Sequence, residues 1–490
     1  MDKYFVFNKT VRGYLHIMKE KICEDSSVSY TAPDGHYSII VVADGHGSSS
    51  CFRSKTGSEM AADAALEALK KFAEYNMEND GEGNFSETKE FVSMLKSERS
   101  KKQMIKHLTD SIVSGWYQSV QDDLGLHPVT KLEMESADPE YIDLYQRGLK
   151  LNHIYGTTLI AALMLKNYLI LLQQGDGRCD VFYDDGSVDQ PIPWDDRCFE
   201  NYTTSMCDDD VDTSIRSTVI DLRLTPIAAC YMGSDGVEDS YRTMDGTHYF
   251  YMQLSSDIVE NQEGFADKLA DFLPEFSKTG SGDDVSVAGI VCIDQVKELQ
   301  RFYSRKMEIF HLNESRIQIK AKIDSMSRKH SILKSRAEKA EEELKVRTDE
   351  WIIATARLEE LTNEVERLEK QMNDEEETVL EENDNDDSSE IIKFLTSIKN
   401  RFPMAFSTIS DTFKKHHIGV SHSVSSQYER AKMALQSHQN KLKALSEELE
   451  IECKAYDELK TEFKEYDDRF CELNANLNEL DSKIGVLKGE

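Results

Sequence analysis

The chain is short of basic residues. Its 490 positions hold 58 Lys and Arg against 91 Asp and Glu, a formal charge of −33. That deficit excludes a protein that grips nucleic acid through its phosphates, which needs a basic surface. It equally disfavours adhesion to an anionic membrane. Paired cysteines are also missing. Nine cysteines are scattered singly from Cys23 to Cys471 with no CxxC spacing, which argues against a zinc ribbon or a disulfide framework and fits reduced thiols. Long apolar runs are absent as well. The most apolar stretch, Leu151 to Leu172, is broken by Gly156, Lys166 and Asn167, so a pair of strands explains it better than a membrane helix. The opening MDKYFVFNKTVRGYL has no basic segment followed by an apolar one, so no signal peptide is read. The expectation is a cytoplasmic protein with neither nucleic acid nor membrane as partner.

What is present divides at Gln295. Residues 1–295 carry 26 basic and 50 acidic residues, net −24, and residues 296–490 carry 32 and 41, net −9. The excess acid is therefore concentrated in the first part. That part reads as mixed α and β. Tyr37–Ala43 is an apolar, β-branched run ending at a turn, and helical spacing follows from Ser58 to Phe72. Residues 76–150 read as surface helices with a loop near Asn79–Asn84. A hairpin is expected around Lys166 and Asn167, with further strands at Asp180–Tyr183, Ala228–Met232 and Val285–Ile293. Strands at both ends with helices between indicate an α+β sandwich.

After Gln295, two seven-residue apolar series appear. One begins at Phe302 and Arg305 and runs to Met372; the other begins at Tyr428 and Ala431 and runs to Leu487. Both predict coiled-coil helices that need a partner stripe. Similar length favours an antiparallel hairpin within the chain, although a dimer satisfies the same seams. Asp374–Glu390 holds ten acidic residues and no basic one, as expected of a solvated linker. The mildly basic Ile391–Gln427 would close the hairpin or dock a partner. The expected units are residues 1–295, 296–373, 374–427 and 428–490.

Five short motifs in the first part fall near strand ends: Glu24-Asp25, Asp44-Gly45-His46-Gly47, Gly175-Asp176-Gly177-Arg178, Ser234-Asp235-Gly236 and Asp283-Asp284. Carboxylates gathered in one place repel unless cations neutralise them. Hard oxygen donors without cysteine point to Mg²⁺ or Mn²⁺. A carboxylate bridging two such ions suits activation of water for in-line attack on phosphorus. Each motif alone is weak, because an Asp-Gly pair is usually a turn.

In order, the set resembles the metal-dependent serine/threonine protein phosphatases of the type 2C class. The resemblance spans about residues 8–293 and implies a two-sheet antiparallel β-sandwich flanked by helices, with two metal ions and a weaker third in a cleft at one end. It implies that Asp44 bridges the ions, that the Gly45 carbonyl ligates one, and that Asp235 and Asp283 complete one metal. Glu24 and Asp25 would act at the other, and Asp176 would serve the weaker third. His46 would be the general acid for the leaving oxygen. The usual phosphate-gripping Arg is replaced by Glu20, which leaves His16, Lys19, Lys21 or Arg12 as candidates. The implied substrate is a phosphoprotein, with the coiled coil binding a protein partner or a second copy. The alternative is a scaffold that binds a phosphoprotein without turnover.

Overall fold

The computed structural model describes residues 4–135, 137–199, 202–241, 243–375 and 424–489. Most of the acidic linker and of the segment expected to close the hairpin, residues 376–423, lies outside the described residues. Compactness divides the chain into two units, Met1–Asn313 and Glu314–Glu490.

The first unit is built on two five-stranded antiparallel sheets. One has β1 (Tyr4–Val11), β12 (Val285–Cys292), β11 (Ile227–Gly233), β8 (Arg178–Tyr183) and β9 (Val188–Asp189) in that spatial order. The other has β10 (Arg216–Asp221), β7 (Tyr168–Gln174), β6 (Leu159–Met164), β3 (Ser38–Ala43) and β2 (Ser26–Thr31). A separate small hairpin pairs β4 (Met77–Asn79) with β5 (Phe85–Glu87).

Central strands are buried on both faces, which is why they read as continuous apolar runs. Their inner faces meet through Ile40, Val42, Ile160, Leu171, Val181, Met232 and Ile290. Outside the second sheet lie the helices Ser54–Asn76 and Glu98–Leu126, packed through Leu69, Ile112 and Trp116. Outside the first lie Met244–Glu260 and Phe265–Thr279, packed through Phe250, Leu254 and Leu273.

Two expectations need correcting. Residues 76–150 are not simply surface helices, because Ile105, Leu108, Ile112 and Trp116 are buried and the Trp116 indole donates to the Gly57 carbonyl at 3.1 Å. The expected loop at Asn79–Asn84 is the turn of the small hairpin. The long C-terminal helix, Ile293–Glu375, begins directly after β12. Its first turns bury Val296, Leu299 and Tyr303 in the core of the first unit, so Phe302 packs there rather than on a helical partner.

In the second unit, the remainder of that helix packs on Val424–Lys488. Leu344, Trp351, Ala354, Leu442 and Leu449 form its core, all on the seams read from the heptads. Arg316 pairs with Asp481, His330 with Asp467 and Arg347 with Glu452. Rising numbers meet falling ones, so the two helices run antiparallel.

Candidate active site

Antiparallel pairing explains how dispersed motifs converge. Ser26 pairs with Ala43, so Asp25, just before β2, sits beside Asp44, just after β3. Gly233 pairs with Val287, which sets Asp235, just after β11, near Asp283, just before β12. Asp176 follows β7, whose Gln174 pairs with Leu159. All five lie at one end of the sandwich and line a cleft of about 610 Å³ together with Glu24, Gly45, His46 and His16.

The backbone at Asp44 is fixed from the neighbouring strand. Its carbonyl accepts from Thr158 N–H and the Thr157 hydroxyl, both at 2.8 Å, and its N–H donates to Thr158 Oγ1 at 3.1 Å. Gly45 has no room for a side chain, since a Cβ would collide with the Glu24 carbonyl oxygen and come within 2.9 Å of that of Ser54. The Ser54 hydroxyl donates to Glu24 Oε1 at 2.9 Å and that of Ser58 to the Glu24 carbonyl at 2.6 Å. The start of the helix Ser54–Asn76 thus positions the acidic pair.

Electrostatically the cleft is under strain. Burial, followed by the charges of Asp284 and Asp235, pushes Asp25 up to about 8. Asp44 is raised well above the carboxylate range by burial and by Asp25 and Asp235. Asp235 is raised to about 7, chiefly by burial and then by Asp176 and Asp283. Burial also raises Glu24. Glu24 Oε2 and Asp25 Oδ2 are buried without a hydrogen-bond partner. Buried carboxylate oxygens are normally satisfied, and a divalent cation is the group that would satisfy several at once while removing their repulsion. The residues present fit such ions.

A family profile for protein phosphatase 2C matches residues 12–274, more than half of the chain. The chain belongs to the protein phosphatase 2C family. Its first unit is a metal-dependent protein serine/threonine phosphatase domain. Solved structures similar to it include the serine/threonine phosphatase Stp1 from Staphylococcus aureus, at 15% identity over 59% of this chain and 95% of that one, with a TM-score of 0.36. Another is the catalytic domain of the phosphatase PstP in complex with two manganese ions, at 15% identity over 59% and 97%, with a TM-score of 0.32. A third is a C. elegans sex determining protein, at 15% identity over 61% and 68%, with a TM-score of 0.34. No curated protein matches the chain at a significant level.

The cleft is poor in cations of its own. Among the described residues, its lining contains no Lys or Arg. Of the phosphate-binding candidates, His16 lines it, whereas Arg12, Lys19 and Lys21 do not. The Arg12 guanidinium instead reaches the Lys21 carbonyl at 3.4 Å, and the Lys21 ammonium reaches that of Gly47 at 3.4 Å. Glu20 occupies a left-handed backbone conformation, φ 56°, in the turn just after the short helix Tyr14–Met18. Burial, followed by the charge of His153, pushes His46 down to about 4, so its imidazole is neutral near pH 7.

Sequence reasoning left Asp284 without a role, although the pair was noted. Its carboxylate is 4% exposed and accepts Gly13 N–H and Glu24 N–H, each at 2.6 Å, and contacts His16 Nδ1 at 2.9 Å. The walls supplied by Asp138, Tyr141, His153, Tyr202, Asp208 and Asp239 were also missed, because no local motif marks them.

Proposed function

We propose that this cleft hydrolyses phosphoserine and phosphothreonine in protein substrates with two ions of Mg²⁺ or Mn²⁺. Asp44 would be shared between the ions, with the Gly45 carbonyl on one of them. Asp235 and Asp283 would complete one set, Glu24 and Asp25 would serve the other, and Asp176 would hold a weaker third. The observation that carries this reading is the pair of orphaned buried oxygens, Glu24 Oε2 and Asp25 Oδ2, inside a cluster of mutually destabilised carboxylates. Bound ions would supply Lewis acidity and a water of lowered pKa.

The chain's own residues then do three things. The backbone of Asp44, fixed by Thr157 and Thr158, sets the point from which its carboxylate enters the cleft. Among the described residues that line the cleft there is no Lys or Arg, although the Lys21 ammonium sits on the carbonyl of the lining Gly47. The ions would therefore carry most of the phosphate's recognition. His46, neutral near pH 7, would take a proton from solvent and pass it to the leaving Ser or Thr oxygen. The second unit supports an antiparallel hairpin within one chain, used for positioning, regulation or assembly with a protein partner.

Hydrolysis of a phosphothreonine peptide by the full chain, with and without Mn²⁺, tests the reading. Turnover that requires Mn²⁺ and falls by at least ~10³ in Asp44→Asn and Asp235→Asn is expected. Undiminished turnover in both variants overturns it. The shortage of lining cations also favours a second reading, a scaffold that binds a phosphoprotein without turnover, and Mn²⁺ binding with no hydrolysis of any phosphopeptide would support that one.

A further inference from the structure

His16 sits between two carboxylates. Its Nδ1 lies 2.9 Å from Asp284 Oδ1, and its Nε2 lies 3.4 Å from Asp283 Oδ1. The two contacts are not alike. Asp284 is buried and already anchored by two backbone N–H groups at 2.6 Å, so it is an acceptor locked in place. Asp283 is 53% exposed at its side chain and lines the cleft, its Oδ1 also accepting the Asp284 N–H at 2.8 Å. In the tautomer that places the proton on Nδ1 toward Asp284, Nε2 carries the lone pair and faces the same region as Asp283. A buried carboxylate orienting an imidazole through its far nitrogen is the arrangement that supports metal-ligating histidines. The spacing of Nε2 and Asp283 Oδ1 matches two neighbouring ligands that each lie about 2.1 Å from one ion, ~3.0–3.4 Å apart. One ligand atom from each of His16, Asp283 and Asp284 lies within 4.8 Å of the others. Asp25 Oδ2, assigned above to the neighbouring ion, is likewise buried with no partner, so the same cleft has buried oxygen donors that suit cations.

We infer that His16 is a nitrogen ligand of the cation held by Asp283, with Asp284 as its orienting residue. This rests on the reading of Asp283 as a metal ligand. It assigns a preference as well as a ligand. Both Mg²⁺ and Mn²⁺ favour oxygen donors, but Mg²⁺ is the harder and dehydrates more reluctantly, so Mn²⁺ is the one of the two that better tolerates an imidazole. A nitrogen in the set therefore shifts selectivity from Mg²⁺ toward Mn²⁺. It also removes His16 from the groups available to grip the substrate phosphate, since both ring nitrogens are engaged.

The test is pulsed electron paramagnetic resonance on the full chain loaded with Mn²⁺, which reads nitrogen nuclei bonded to the ion. Nitrogen modulation is expected in the unaltered protein and in the double variant His46→Gln/His153→Gln, whose removed imidazoles also line the cleft. It should vanish in His16→Gln, with the ratio of Mn²⁺ to Mg²⁺ affinity, measured by calorimetry, falling by about tenfold. Should His16→Gln fail to fold, the double variant decides the matter alone. Bound Mn²⁺ without nitrogen modulation, or modulation lost with His46 and His153, overturns the inference and leaves the phosphatase reading standing. Failure to bind Mn²⁺ at all overturns both.

Discussion

Asp284 Oδ2 accepts the backbone N–H of Glu24 at 2.6 Å, so a carboxylate at the start of β12 holds the loop that delivers the acidic pair from another sheet. Its other oxygen accepts Gly13 N–H at the same distance. Alanine here would leave both donors without their partner, a loss of about 2–4 kcal/mol for two buried or half-buried groups. Asp284→Ala should therefore lower the melting temperature markedly even with chelator present, whereas Asp284→Asn, which keeps one acceptor oxygen, should lose about half as much. Calorimetric melting of both variants checks this. Equal stability of Asp284→Ala and the unaltered chain would remove Asp284 from its anchoring role.

The carboxylate cluster makes a pH-dependent claim with a definite sign. Asp25 stands at about 8 and Asp235 at about 7 in the folded protein, both above the ordinary carboxylate range near 4. The folded state then retains protons that the unfolded chain has released, so stability is lost as pH rises from about 4 toward 8. His46, lowered to about 4, acts oppositely between its folded value and about 6.5, where the unfolded chain takes the proton. The unobscured window is pH 6.5 to 8. In chelator the melting temperature should fall across that window, and the gain on adding Mn²⁺ should grow. A metal-free melting temperature that rises from pH 6.5 to 8 contradicts the clustering.

Gly45 offers a steric test of the same site. A Cβ at this position would strike the backbone of Glu24 and crowd that of Ser54, and backbone atoms cannot move aside as a side-chain tip can. Gly45→Ala is expected to push the Glu24 loop away and weaken Mn²⁺ binding by at least ~10-fold. Gly125→Ala is the control, because its Cβ would meet nothing within 4 Å and alanine favours the helix by up to about 1 kcal/mol. Titration calorimetry on the two variants separates them; equal Mn²⁺ affinity in both would show that the Gly45 approach is slack.

What the sequence made legible follows burial. Strands β3, β6, β7, β11 and β12 are buried on both faces, and their apolar runs can be read directly. Strands β1 and β2 were missed because they are half-buried edges whose polar residues bind each other: Asn8 Nδ2 donates to the Ser27 carbonyl at 2.8 Å, and Ser29 donates to Asn8 Oδ1 at 2.7 Å. No periodicity announces a strand of that kind. The site was legible as motifs, since Asp44, Asp176 and Asp235 each precede a glycine that marks a turn. Asp284 was not, because its role lies in accepting two backbone donors far away in sequence. The change of texture at Gln295 marks where acid content falls, whereas compactness carries the first unit to Asn313.

That last difference has a measurable consequence. Val296 and Tyr303 are fully buried and Leu299 is nearly so, in the same core as Phe182, Tyr251 and Phe265. Further along, Phe310 stacks on Tyr249 with ring centroids 4.8 Å apart. Ending the chain at Gln295 strips these side chains and exposes the face they cover, while ending it at Asn313 keeps all of them. Three buried side chains at about 1.5–3 kcal/mol each predict a melting temperature lower in the shorter chain by on the order of 10 °C. The comparison also decides how regulation by the second unit should be assayed. Low phosphatase activity in residues 1–295 would reflect a damaged core, whereas residues 1–313 isolate the loss of the second unit alone. Melting curves of the two truncated chains check the boundary, and coincident transitions would place it back at Gln295.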